Sequence, residues 1–132
     1  MFEKLDHIGI AVADLEKSIS FYRDQVGLEL KGIETVAEQK VSLAFFPVGE
    51  SKIELLESTD PDGPVGKFVE KKGEGVHHLS FRVTDIEAKL EQLKEQGVAL
   101  IDQKPRIGAG GAKIAFLHPK STGGVLIELC EH

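Results

Sequence analysis

The chain has 132 residues, of which 41% are hydrophobic and 29% charged, and its formal net charge is −6. These values are typical of one compact globular domain and disfavour nucleic acid or an anionic membrane as a partner. No apolar run approaches the roughly 20 residues of a membrane-spanning helix, and the N-terminal residues lack the basic flank and apolar stretch of a signal peptide. We therefore expect no membrane association and a cytoplasmic location.

The first half of the chain contains one strand, one helix and three further strands in its sequence pattern. A strand is predicted at 6–12, followed by a helix that Asp14 can cap and Gly27 can end. The helix has apolar residues at helical spacing, at Ile19, Tyr22 and Val26. Short β-type runs follow at 27–35, 40–48 and 51–58. This half forms module one, about residues 1–57.

The second half repeats that order after a connector. Turn-forming residues and a possible short helix at 64–72 occupy a linker of about residues 58–75. A strand at 77–83 and a helix between Asp85 and Gly97 come next, the helix with apolar spacing at Ile86, Leu90 and Leu93. Three β-type runs then lie at 97–103, 112–119 and 123–130. This half forms module two, about residues 76–132.

The two halves align as an internal repeat. His7 aligns with His78, and the same alignment pairs Asp14 with Asp85. The sequence therefore predicts an α+β fold of two tandem βαβββ modules within a single domain of residues 1–132. We expect the modules to form a curved mixed sheet around a metal site.

The metal site is predicted from polar residues at repeated positions in apolar strands. Successive strand residues face opposite sides, so His7 lies opposite the core face of Ile8 and Ile10, and His78 lies opposite that of Leu79 and Phe81. The adjacent His77 has the other parity and no counterpart in module one. It is the weaker candidate for a ligand.

Each module also ends on a strand that carries a glutamate between apolar neighbours. These glutamates are Glu54 in module one and Glu128 in module two. A carboxylate in an apolar strand is costly unless it is paired, hydrogen-bonded or bound to metal. Any one of these histidines or glutamates alone is more often an ordinary strand residue, but the repetition favours a set of ligands for Co, Ni, Zn, Mn or Fe.

One stretch of this acidic chain is locally basic. Residues 103–127 contain no acidic side chain but include Lys104, Arg106, Lys113 and Lys120. The stretch suits a small anionic ligand, although a solvated loop explains the charge equally well. The single Cys130 lies in an apolar strand and is expected to be a buried structural residue.

The quoted features bear a resemblance to a known family. The paired modules with "DHIGIAV", "VHHLSF" and "LIEL" resemble the vicinal oxygen chelate superfamily, and "FLHPKSTGGVLIEL" resembles the methylmalonyl-CoA epimerase family within it. The resemblance covers nearly the whole chain. It implies metal ligation by His7, Glu54, His78 and Glu128, a divalent ion of the Co²⁺ type with Ni²⁺, Mn²⁺ or Zn²⁺ as alternatives, and a homodimer.

The implied reaction interconverts the 2-epimers of a CoA thioester through a metal-stabilised enolate. Glu54 and Glu128 are the candidate bases that remove and return the proton. Lys113, His118 and Lys120 are candidate contacts to the substrate carboxylate or the CoA phosphates, with turn formation as the ordinary role of His118. Some epimerases carry a further glutamate where this chain has Leu43, so a second base at that position is unassigned.

Three other activities are weighed against this one. A glyoxalase I-type lactoylglutathione lyase needs the same four ligands and is the main alternative. A non-catalytic small-molecule-binding protein of the same fold normally lacks the full set of four. A ring-cleaving dioxygenase fits poorly because it uses two histidines and one carboxylate on iron.

Overall fold

The computed structural model describes every residue from Met1 to His132. Its contacts divide the chain into two compact units. The first unit is His7–His77, and the second combines Met1–Asp6 with His78–His132. The division falls within the strand Phe2–Ala11, whose residues up to Asp6 belong to the second unit and whose remaining residues belong to the first. The module boundaries expected from the sequence stay a prediction.

The first unit contains four strands and two α-helices. Its elements are β1 (Phe2–Ala11, from His7 onward), α1 (Leu15–Ser20), β2 (Gly32–Val36), β3 (Val41–Val48), β4 (Ser51–Ser58) and α2 (Pro64–Lys72). The strands are ordered β2-β3-β4-β1. Strand β1 runs parallel to β4, and the other two pairs are antiparallel.

One face of this sheet carries the core of the first unit. Leu15 and Ile19 of α1 pack with Phe46 and Leu55 of β3 and β4. All four are buried. The opposite face carries the alternate residues of the strands, including His7 of β1 and Glu54 of β4.

The second unit repeats the arrangement. Its elements are β5 (Gly75–Val83, from His78 onward), α3 (Ile86–Glu95), β6 (Arg106–Ile107), β7 (Lys113–Leu117) and β8 (Ile127–Glu131). The strands are ordered β5-β8-β7-β6, with β5 parallel to β8. Leu90 of α3 packs on Ala115 and Leu129. The βαβββ order predicted for each module is confirmed.

The predicted helix ends are confirmed. The Asp14 side chain accepts a hydrogen bond of 3.1 Å from Lys17 N, and that of Asp85 accepts one of 3.1 Å from Ala88 N. The helical segments stop at Gly27 and near Gly97, where φ is +92° and +82°. Glycine adopts this left-handed conformation at no steric cost.

Three predicted elements differ in the structure. The helix after Leu15 continues beyond Ser20 as a π-helix, Phe21–Val26. The strand predicted at 27–35 begins only at Gly32. The run at 97–103 forms one isolated bridge, because the N–H groups of both Ile101 and Asp102 donate to the Phe116 carbonyl and no regular ladder develops. No helix in the structure has the length and apolar character needed to cross a membrane.

Candidate active site

The first unit brings together His7 and Glu54. In the parallel pairing of β1 and β4, Gly9 lies opposite Glu54. Because glycine has no side chain, β1 adds no bulk beside the carboxylate at this position. His7 Nδ1 is 3.3 Å from Glu54 Oε2. Both side chains are almost fully buried, at 6% and 4% exposure. They lie on the sheet face opposite the hydrophobic core.

A lysine lies beside this pair. Lys52 is the register partner of His7, so it shares the same sheet face. Its Nζ is 3.6 Å from the Glu54 Oε2 atom that faces His7. The ammonium group also lies 5.0 Å from the centre of the Phe45 ring, a cation–π contact. Lys52 is not among the site residues predicted from the sequence, although it precedes Glu54 by two residues and therefore shares its strand parity.

The second unit brings together His78 and Glu128. Their metal-binding atoms lie within 4.8 Å of each other, and both side chains are buried. Register places Glu128 between Ser80 of β5 and Phe116 of β7. The Phe116 ring meets the His78 ring edge-on at 5.7 Å. This aromatic contact restricts the orientation of the imidazole.

An arginine occupies the same face of the second unit. Arg106 pairs in register with Ile114, which in turn pairs with Cys130. Its guanidinium lies 5.6 Å from the centre of the Phe116 ring and its Nε is 3.2 Å from Asp102 Oδ1. The other Asp102 oxygen accepts a hydrogen bond from Phe116 N at 2.9 Å. Arg106 was noted in the sequence only as part of the basic stretch.

The donor groups of both pairs suit a divalent transition metal. Imidazole nitrogen and carboxylate oxygen are the usual ligands of Co²⁺, Ni²⁺ and Zn²⁺ in proteins. In each unit the two donors are buried on one sheet face at a separation that a shared ion can bridge. The residues present in each unit therefore fit two ligands of a metal centre.

The predicted substrate contacts lie in different surroundings. Lys113 alternates with Ile114 and Phe116, so it lies on the helix-packed face, and its Nζ is 3.4 Å from Glu87 of α3. The His118 Nδ1 accepts a hydrogen bond of 3.1 Å from Lys120 N and caps the short turn that follows. His118 and Lys120 are exposed. The turn role considered for His118 is therefore present.

Two other residues considered in the sequence have buried, structural surroundings. The His77 ring meets the Phe68 ring edge-on at 5.0 Å, and burial together with Lys72 lowers the pKa of His77 to about 4. Burial raises the pKa of the Cys130 thiol to about 12. A thiol with that pKa is an inert structural group near neutral pH.

A buried ion pair in the second unit was not predicted. Asp6 has only 3% exposure, and its Oδ1 lies 2.9 Å from a terminal guanidinium nitrogen of Arg82. His132 Nε2 is 3.6 Å from the same oxygen. The pair attaches the N-terminal segment of β1 to β5 within this unit.

Comparison with known proteins identifies the family. Residues 6–116 match the model of the Glyoxalase/Bleomycin resistance protein/Dioxygenase superfamily. The chain belongs to this superfamily. The mitochondrial methylmalonyl-CoA epimerase of Mus musculus is 40% identical over 127 residues, which cover 96% of this chain and 71% of the mouse protein. The ethylmalonyl-CoA/methylmalonyl-CoA epimerase of Cereibacter sphaeroides is 37% identical over 131 residues, which cover 98% of this chain and 98% of that protein.

A solved structure of the superfamily agrees with the fold. It is a variant of Streptomyces coelicolor methylmalonyl-CoA epimerase in complex with 2-nitronate-propionyl-CoA. The two structures superpose with a TM-score of 0.95 at 41% sequence identity, covering 99% of this chain and 95% of that chain. The resemblance and the α+β fold predicted from the sequence are confirmed, and so is the predicted enzyme class, an epimerase.

Proposed function

We propose that this chain interconverts the 2-epimers of methylmalonyl-CoA. One observation carries the proposal: each unit holds a buried histidine–glutamate pair on the sheet face opposite its core. The chain is also 40% identical to a methylmalonyl-CoA epimerase over nearly its whole length. Epimerisation requires removal of the proton at C2 and its return on the other face, which matches a repeated pair of carboxylates.

The proposal includes one divalent ion per chain, bound by His7 and Glu54 with His78 and Glu128. Cobalt is the first candidate, with nickel, manganese and zinc as alternatives. When bound, such an ion draws electron density from the substrate's carbonyl oxygens and thereby acidifies the C–H bond at C2. Metal analysis of purified protein tests this part, because one ion per chain supports a shared site and two ions per chain support independent pairs.

Glu54 and Glu128 are the proposed proton-transfer groups. They hold equivalent positions in the two modules, so they can serve opposite faces of C2. Leu43 cannot contribute, because its buried hydrocarbon side chain pairs in register with Leu56 and carries no ionisable group. The proposal therefore assigns both proton transfers to the two repeated glutamates.

The proposal also covers CoA binding, oligomeric state and location. The exposed ammonium groups of Lys113 and Lys120 suit the phosphates of CoA. Lys113 is less suited to the carboxylate of the substrate's acyl group, because it lies on the sheet face opposite Glu128. His118 lies in the same turn as Lys120. A homodimer and a cytoplasmic location complete the proposal; light scattering tests the first and cell fractionation the second.

The experiment compares two substrates at equal cobalt content. We expect turnover of methylmalonyl-CoA by chiral analysis and far slower turnover of the glutathione–methylglyoxal hemithioacetal. The reverse preference would support the lactoylglutathione lyase instead. Binding of both compounds without turnover of either would support a non-catalytic binding protein.

A further inference from the structure

The two histidine–glutamate pairs differ in one neighbour. In the first unit, Lys52 stands two residues before Glu54 and its Nζ is 3.6 Å from the carboxylate. At the same spacing before Glu128 stands Leu126, which carries no charge. At this position of the repeat, therefore, module one carries a cation and module two an apolar residue.

Lys52 is held in place by more than Glu54. Its ammonium group lies over the Phe45 ring at 5.0 Å, and Phe45 is the register partner of Glu54. The side chain retains 26% exposure, whereas the Glu54 side chain retains 5%. An ammonium group has three N–H donors, so one lysine can contact Glu54 and a second anion together. The Lys52 ammonium group is thus held by Phe45 and Glu54, and its side chain remains partly accessible to a ligand.

The positive charge of Lys52 changes the net charge of the proposed metal centre. Two neutral imidazoles and two carboxylates would cancel the charge of a divalent ion. An anionic acyl group would then gain little long-range attraction from the centre. A positive charge beside Glu54 leaves the group as a whole positive, which favours a substrate that carries a carboxylate.

We propose that Lys52 is a specificity-determining residue that selects acyl-CoA thioesters with a free carboxylate on the acyl group. The inference rests on the proposed function and deepens it by naming the residue that recognises the acyl carboxylate. Lys52 binds the carboxylate by a charge-assisted hydrogen bond, and thioesters with uncharged acyl groups do not gain this contact. The carboxylate is thereby distinguished from the CoA portion, which all such thioesters share.

The test measures binding of malonyl-CoA and propionyl-CoA to cobalt-loaded protein by calorimetry. The two ligands share CoA and the thioester and differ by the carboxylate. Lys52→Met is expected to weaken malonyl-CoA binding by about tenfold or more, the usual effect of losing a hydrogen bond to a charged group. Propionyl-CoA binding is expected to change by less than about twofold, since the lost contact concerns the carboxylate alone.

Two variants serve as controls. Lys52→Arg keeps the positive charge and should restore the preference for malonyl-CoA. Lys40→Met removes another lysine of the first unit, whose Nζ lies 3.5 Å from Asp60 Oδ2. This variant should leave both affinities unchanged. The cobalt absorption spectrum of each variant shows whether ligation by Glu54 is retained.

Several results would overturn the inference. Equal loss of both ligands in Lys52→Met would show a structural role, and no loss of either would show no role. Selective loss in Arg106→Met but not in Lys52→Met would place the carboxylate on the second unit. In each case the wild type still epimerises methylmalonyl-CoA. A wild type that binds cobalt and both ligands but never epimerises would instead refute the proposed function.

Discussion

The Glu57 carboxylate accepts a hydrogen bond of 2.6 Å from the backbone N–H of Leu15, the first residue of α1. The second unit repeats the contact, since Glu131 accepts one of 2.8 Å from Ile86 N at the start of α3. Each of these glutamates follows the proposed metal ligand of its strand by three residues. The final strand of each module therefore carries the ligand and also fixes the start of the helix.

Removal of either capping carboxylate should destabilise the fold without abolishing the candidate site. We expect Glu57→Ala and Glu131→Ala each to lower the free energy of unfolding by about 1–2 kcal/mol, the usual cost of losing a helix N-terminal acceptor. Urea unfolding measures the change. Glu16→Ala, on the exposed side of α1, is the matched control and should change stability little. Equal effects of Glu16→Ala and Glu57→Ala would contradict the capping role.

The buried pair of Asp6 and Arg82 should matter more for stability. Arg82→Met leaves a carboxylate with 3% exposure without its arginine, so we expect a loss of about 3–5 kcal/mol. The double variant Asp6→Asn with Arg82→Met also removes the buried negative charge and should recover part of that loss. Thermal and urea unfolding of both variants provide the measurement. A double variant that is no more stable than Arg82→Met would show that the buried charge is not the cause of the loss.

His77 should make the stability of the protein depend on pH. Burial lowers its pKa to about 4 in the folded protein, below the ordinary value of 6.5. Between these values the unfolded chain binds a proton that the folded chain does not, so stability falls as pH falls from about 6.5 to about 4. The slope contributed by one such group is at most about 1.4 kcal/mol per pH unit.

His77→Phe isolates this effect because it keeps a ring against Phe68. Urea unfolding of the wild type and the variant should be compared at several pH values between 6.5 and 4.5. The variant is expected to lose stability less steeply as the pH is lowered. Identical slopes would show that His77 is protonated equally in the folded and unfolded states.

The two proposed bases can be separated by isotope exchange. Glu54→Gln and Glu128→Gln should retain some metal, since an amide oxygen can coordinate, but each removes one proton acceptor. At least one variant should exchange the C2 proton of a single epimer with deuterated solvent faster than it inverts that epimer. Mass shift and chiral analysis follow the two processes. Full racemisation by both variants with metal bound would restrict these glutamates to ligation.

Much of the fold follows from local sequence signals, while parts of the candidate site do not. Asp14 and Asp85 predict the starts of the helices, because capping is a short-range interaction. The internal repeat predicts that His7 and His78 lie on equivalent strands. Strand parity assigns Glu54 and Glu128 to one side of each strand without any tertiary information.

The remaining features depend on contacts between distant segments. Lys52 approaches Glu54 along its own strand, but its cation–π contact with Phe45 requires the antiparallel register of β3 and β4. Arg106 reaches Phe116 only because the loop before it bonds through Asp102 to the β7 backbone. The run at 97–103 has strand composition, yet the N–H groups of Ile101 and Asp102 both donate to one carbonyl, that of Phe116, and no regular ladder forms. Composition does not encode such pairings.

The central claim is tested most directly with cobalt-loaded protein and one pure epimer of methylmalonyl-CoA in deuterated water. The account predicts loss of optical purity together with incorporation of one deuterium at C2 into the inverted product, because the returned proton comes from solvent through a glutamate. The same incubation with His78→Ala protein should show neither change. Retention of optical purity and the absence of deuterium in the wild type, with bound metal confirmed by elemental analysis, would contradict the account.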